Sequence, residues 1–179
     1  MSWRTMAVIA VALLALHARP GAAQEPPASQ RGTVSQNIHT TTVHITYERP
    51  SARGRTLFGE EGAVVTYDAL WTPGANRATI LELSRPARIF GRELPAAKYS
   101  VWTIPSAGEW TFILNRTWDT HHAIYPGEAD DALRMSVAPA SGPHMETLAI
   151  YFPVVEAYRA IMQVHWGTTV LAVPIEVDR

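Results

Sequence analysis

Histidines at 39, 44, 121, 122, 144 and 165 are the side chains best placed to hold a metal or move a proton near neutral pH. A metal site needs three or four nitrogen or oxygen ligands converging at bonding distance. His44 and His165 fall on the polar faces of two predicted strands, which would let both point into one groove. His121 and His122 sit in an irregular stretch beside Asp119, Glu128, Asp130 and Asp131. These four histidines define one candidate, a divalent-metal site serving a hydrolase, which requires an open coordination position. Against it, no His-Glu-x-x-His spacing occurs, and adjacent His121 and His122 would point opposite ways on a strand. The preferred reading is surface or hydrogen-bonded histidines, with no metal and no cofactor.

Other catalytic chemistry has less to stand on. No serine lies in a Gly-x-Ser-x-Gly elbow, and the chain has no cysteine, which removes any thiol route. Glu60-Glu61 and Asp130-Asp131 are paired acids, but glycosidic chemistry needs carboxyls facing each other across a substrate, and sequence neighbours seldom do so. No catalytic residue is assigned.

Binding is the better case. Trp71, Trp118, His122 and Tyr125 lie in or beside loops, with Asn76, Arg55 and Arg134 as polar company. Aromatic faces stack on sugar rings or planar ligands, and Asn and Arg fix orientation. The candidate ligand site is therefore Arg55, Trp71, Asn76, His122 and Tyr125, for a small molecule or carbohydrate. The competing structural reading has Trp71 plugging one end of the core, Asn76 capping its own turn and Arg55 meeting an acid.

Strands must position these groups. His39 to Tyr47 alternates, with Thr41, Val43, Ile45 and Tyr47 on one face, and Pro50 ends the run. A long loop, Arg49 to Gly62, follows. Ala63 to Tyr67 and Ala78 to Leu83 read as strands around a Pro73-Gly74 type II turn in which Gly74 takes positive φ. Arg88 to Asn115 is a meander of β-branched and aromatic runs divided by Gly and Pro, its last hairpin closing through Pro105 and Gly108. Trp110, Phe112 and Leu114 share one face there, as do Trp102 and Ile104. Arg116 to Asp131 shows neither period, and Asp130 to Met135 suits a helical turn. Strands follow at Arg134 to Ala138, Met145 to Phe152 and Tyr158 to Trp166, where Gly167 turns the chain back into Thr168 to Val173. Eight to ten strands and no long amphipathic helix predict an all-β, antiparallel two-sheet sandwich, jelly-roll-like, with a closed β-barrel as the alternative.

The chain ends and composition bound the rest. Arg4 followed by the apolar run Met6 to Leu16 and by Gly21-Ala22-Ala23 reads as a signal peptide over residues 1–23. Residues 24–32 read as a flexible tether and 33–179 as one β-sandwich domain, with order beginning near Thr33. The expected location is exported, periplasmic or extracellular, with no membrane span after cleavage. A formal net charge of −1 offers no basic surplus for nucleic acid. Without cysteine there is no disulfide framework, so the core alone must hold the domain.

Several ordered segments also resemble a bacterial secreted family, domain of unknown function 2911. They are Arg49-Pro50-Ser51, Gly54-Arg55, Phe58-Gly59, Trp71 with Gly74-Ala75-Asn76, Gly91, Leu94-Pro95-Ala96, Tyr99, Ile104-Pro105, Trp110, Asn115, Trp166-Gly167 and Val173-Pro174. Thr72-Pro73 stands where the family usually has Arg-Thr, and Ala97 replaces a usual glycine. The resemblance implies an exported β-rich domain and carries no activity with it. The reading adopted is a non-catalytic ligand-binding or structural module. The alternatives are the histidine-dependent hydrolase and a protein-interaction domain that adds a partner's strand at a sheet edge.

Overall fold

A computed structural model describes residues 28–179. The signal-peptide reading of residues 1–23, and residues 24–27 of the tether, fall outside the described residues. Twelve strands follow in order: β1 Gln30–Ile38, β2 Thr41–Arg49, β3 Phe58–Gly59, β4 Val65–Thr66, β5 Thr79–Leu83, β6 Ala87–Ile89, β7 Arg92–Leu94, β8 Lys98–Ile104, β9 Trp110–Asn115, β10 Asp131–Val137, β11 Ala140–Val155 and β12 Arg159–Glu176. Six form a sheet in the order β1-β2-β5-β8-β9-β10, and four form a second in the order β11-β12-β6-β7. All pairings within these two sheets are antiparallel. β3 and β4, between β2 and β5 in sequence, make a short parallel pair of their own. Both large sheets keep free edges, so the fold is an open sandwich and not a barrel.

Period-2 alternation explains the main core. Val43, Ile45, Leu81, Tyr99, Val101, Phe112 and Leu114 of the six-stranded sheet are buried, as are Ile89, Leu148, Ile150, Met162, Val164, Trp166, Val173 and Ile175 of the four-stranded sheet. They form one contiguous cluster between the sheets. The opposite face of β8 and β9 holds a second, smaller cluster of Ala78, Trp102 and Ile113, joined by Ile104 and Tyr125. Trp102 and Ile104 thus share a face as their spacing requires, and that face is the outer one.

Several local expectations are corrected. Gln30 to Gly32 are strand and not tether, since they stay in register with Arg49 to Tyr47 of β2. His39 belongs to the β1–β2 turn, with φ 51°, and not to the strand. β1 carries little sequence signal because an edge strand with few apolar residues shows little alternation. In the Trp71–Asn76 turn the left-handed residue is Asn76, at φ 60°, while Gly74 is not left-handed. Gly74 is needed for close approach instead: a Cβ there would lie 2.9 Å from Thr79 Oγ1. Asp131 to Met135 is strand, preceded by a 3₁₀ turn at Glu128–Asp130, so the expected helical turn is displaced upstream. Gly167 does not reverse the chain. It takes φ 58° inside one continuous strand, β12, at a shift in register with β11.

Candidate functional site

The five residues proposed for ligand binding do not meet. Asn76 and His122 lie together, the His122 N–H donating to the Asn76 carbonyl at 3.4 Å. This ties the Arg116–Gly127 loop to the outer face, helped by the Arg77–His121 bridge and the Arg77–Asp119 ion pair. The His121 and His122 rings are 4.4 Å apart. Desolvation, and then the neighbouring His121, lower the His122 pKa from its ordinary value.

Tyr125 is on the same loop but serves a polar network. Its ring stands edge-on to Trp102 at 5.4 Å, capping the outer cluster. Its hydroxyl donates to Asp131 Oδ1 at 2.7 Å. Asn115 Nδ2 donates to the same oxygen at 3.0 Å and to the Gly127 carbonyl at 2.9 Å. Arg134 donates through Nε to Asp131 Oδ2 at 3.1 Å, and through Nη2 to Glu128 at 2.9 Å and to the Tyr125 oxygen at 3.2 Å. Burial, then the bond to Asp131, pushes the Tyr125 pKa up to about 12. Asp131 and Arg134 pair on a bulged strand start. These groups bond chiefly to one another, so the network fastens the loop. Asn115, which opens a glycosylation sequon, is wholly buried within it.

The four candidate metal ligands are also dispersed. His44 faces outward from β2 and contacts Thr46 Oγ1 at 3.4 Å. His165 faces outward from β12, on the other side of the sandwich, and is nevertheless buried. Its Nδ1 meets the Tyr151 hydroxyl at 3.1 Å and its Nε2 the Pro143 carbonyl at 2.9 Å. Gly142 gives it room, since a Cβ there would stand 3.3 Å from His165 Cε1. With both nitrogens engaged inside the protein, His165 has none left for a metal. Among the described residues, no group of three or more His, Cys, Asp or Glu side chains is disposed to hold one.

Arg55 and Trp71 belong to a different place. Residues 50–71 cross one end of the sandwich. The segment is fixed at its start to β11, where the Ala52 N–H donates to the Glu146 carbonyl at 2.7 Å and the Leu148 N–H to the Pro50 carbonyl at 2.9 Å. Its far end is fixed to β8 by reciprocal Trp71–Thr103 bonds of 2.8 and 2.7 Å. In between, Phe58 stands edge-on to Trp110, Trp71 and Trp166 at 4.7, 5.3 and 6.0 Å, and Trp71 stacks on Trp166 at 5.9 Å.

Beside this cluster opens a cleft of about 280 Å³. Leu57, Phe58, Tyr67 and Trp166 give it apolar walls, and Arg55, His144, Thr168 and Thr169 give it polar ones. Gly167 lets the walls close up, since a Cβ there would fall 2.7 Å from Leu57 Cδ1. Arg55 is anchored by its own turn, donating from Nε to the Ala52 carbonyl at 3.0 Å and from Nη2 to the Ser51 carbonyl at 2.7 Å. It therefore meets backbone carbonyls and not the acid expected for it. Trp166 is buried, and its Nε1 is the one buried side-chain nitrogen or oxygen among the described residues without a hydrogen-bond partner. The other two buried indoles are satisfied, Trp102 by Ser100 Oγ at 2.9 Å and Trp110 by the Ser106 carbonyl at 3.1 Å.

A larger hollow of about 370 Å³ lies near the C-terminus, lined in part by Arg88, Tyr158, Arg159 and Asp178. Its charges are already matched, Arg88 to Asp178 at 2.7 Å and Arg159 to Glu156 at 2.7 and 2.8 Å. The exposed edge offered by β11 is not flat either. Three register shifts interrupt its pairing with β12, and Ser51 covers Thr147. The end-of-sandwich cleft is the best candidate site.

Of the predicted ligand residues, then, Arg55 lines the cleft, Trp71 backs its aromatic wall, and Asn76, His122 and Tyr125 lie elsewhere. Sequence reasoning missed Phe58, Tyr67, Trp166, Thr168 and Thr169. A turn at Gly167 would separate Trp166 from Thr168, whereas the continuous strand β12 keeps them on one wall. The available signal was that Gly54-Arg55, Phe58-Gly59, Trp71 and Trp166-Gly167, all segments of the resemblance, gather at this end.

Residues 29–175 match the family model described as protein of unknown function (DUF2911), and the chain belongs to that family. No curated protein and no solved structure matches it.

Proposed function

We propose that this protein is an exported, non-catalytic module that binds a small ligand in the cleft between residues 55–67 and β12. The observation that carries the reading is the unpartnered Trp166 Nε1 in a buried residue that lines the cleft. Leaving a buried donor unsatisfied costs about 1–3 kcal/mol, and native proteins keep few such groups. A bound acceptor that reached the indole N–H would offset that cost. Arg55, held in place before any ligand arrives, supports the same reading because a preorganised side chain loses little freedom on binding.

Export rests on the Arg4, Met6 to Leu16 and Gly21-Ala22-Ala23 pattern. Both parts are tested by native mass spectrometry of protein recovered from the exported fraction of its own cells. The expected species starts at Gln24 and carries an organic mass that Trp166→Phe removes. Absence of the protein from that fraction would refute export, and a chain there that retains its first 23 residues would refute cleavage after Ala23. A co-purified mass indifferent to Trp166→Phe would move the site elsewhere.

A further inference from the structure

We infer that the cleft selects a single-ring ligand bearing a carboxylate, such as a uronic sugar or a hydroxylated aromatic acid. This rests on the reading of the cleft as a ligand site and adds the chemical class. Three observations converge on it.

The first is charge. No Asp or Glu lines the cleft, and its permanent charge is Arg55. The nearest acid in sequence to its His144 wall, Glu146, is engaged by the His144 ring at 3.1 Å and by the Arg53 N–H at 2.7 Å. Arg55 gives two of its donors to backbone carbonyls, which fix the guanidinium without neutralising it. Arg presents five donors in a planar fork, so a carboxylate can still take charge-assisted hydrogen bonds from those left free.

The second is shape. About 280 Å³ falls just below the roughly 300–1,000 Å³ typical of ligand pockets, which suits one ring and not a chain. Phe58, Tyr67 and Trp166 supply the aromatic surface against which a ring's flat face packs. The third is the donor inventory. Trp166 Nε1, unpartnered and buried, can only donate, so a ligand that reaches it has to bring an acceptor. The lining also includes Thr168 and Thr169, whose polar atoms accept or donate hydrogen bonds.

The probes are glucuronate and 4-hydroxybenzoate, each beside its neutral counterpart, glucose and 4-hydroxybenzyl alcohol. They are titrated into the ¹⁵N-labelled protein starting at Gln24. The readout is the indole N–H signal of Trp166, assigned by its loss in Trp166→Phe. The expected result is a downfield shift with at least one acid, about tenfold weaker binding in Arg55→Gln or for its neutral counterpart, and weakening with added salt. The salt series on the unaltered protein keeps the test independent of how the variant folds. Whichever acid acts distinguishes the sugar from the aromatic source. If a neutral ring binds as well as its acid, the charge assignment falls while the cleft stands. If none of the four probes moves the Trp166 signal, the inference is overturned, and the co-purified mass still decides the cleft by itself.

Discussion

The outer-face network around Asp131 and the cleft beside Trp166 are built from similar materials. Each combines an arginine, a tyrosine and a tryptophan against a strand. In the first, Asp131 accepts from Tyr125, Asn115 and Arg134, and Trp102 finds Ser100. In the second, no carboxylate is present, Arg55 holds only carbonyls, and Trp166 finds nothing. The difference teaches how to tell a fastening from a site. A network that satisfies itself spends its donors on the fold, whereas one left open has donors for something else.

Mutations that remove polar groups should therefore act in opposite ways at the two places. The largest effect is expected for Asp131→Ala, which strands the Tyr125 hydroxyl, the Asn115 amide and Arg134 together. Unfolding by urea should show a loss of about 3 kcal/mol, and a loss near zero would mean that the network is not a fastening. Gly167→Ala comes next. A left-handed φ of 58° and a Cβ 2.7 Å from Leu57 should cost about 2 kcal/mol. The same change should press Leu57 into the cleft and weaken ligand binding, a coupling that Asp131→Ala should lack.

Tyr125→Phe should cost about 1 kcal/mol near neutral pH, the worth of an ordinary buried hydrogen bond. It also carries a pH signature. The folded pKa of about 12 exceeds the unfolded value near 10. The native state therefore holds the phenolic proton where the unfolded chain has released it. The stabilising contribution is complete below pH 10 and is lost as pH rises to about 12. Denaturation curves taken across that window should converge for the wild type and Tyr125→Phe. The smallest effect is expected for Trp166→Phe. Removing an indole N–H that has no partner relieves its desolvation and offsets the lost ring volume, so thermal unfolding should shift by no more than about 1 kcal/mol. A much larger loss would show that Trp166 is a core residue first.

The architecture was largely legible in the sequence, and the site was not. Alternation through Val43, Ile45 and Tyr47, or through Trp110, Phe112 and Leu114, has a period that burial on one sheet face imposes, so it survives translation into structure. Turn chemistry survived less well. Pro73-Gly74 suggested a left-handed glycine, yet Asn76 took that conformation, because Gly74 was required for contact with Thr79 and Glu48. The site was hidden because its walls are 111 residues apart in sequence, from Arg55 to Trp166, and only the pairing of β11 with β12 and the crossing of residues 50–71 bring them together. His121 and His122 attracted attention by residue type alone, which says nothing about convergence.

The four-stranded sheet has a consequence for how the molecule is made. Its β11–β12 pairing is local and can form as soon as those strands exist. The β6–β7 hairpin is local too, but its link to β12 is not, since Ile175 and Glu176 pair with Ile89 and Arg88. β6 and β7 therefore wait for nearly the whole chain before their sheet can close around them. Contacts of such long sequence separation slow folding, and the delay leaves apolar residues such as Ile89 uncovered until the final strand arrives. A chain truncated just before Ile175 would keep both hairpins and lose the seam that joins them.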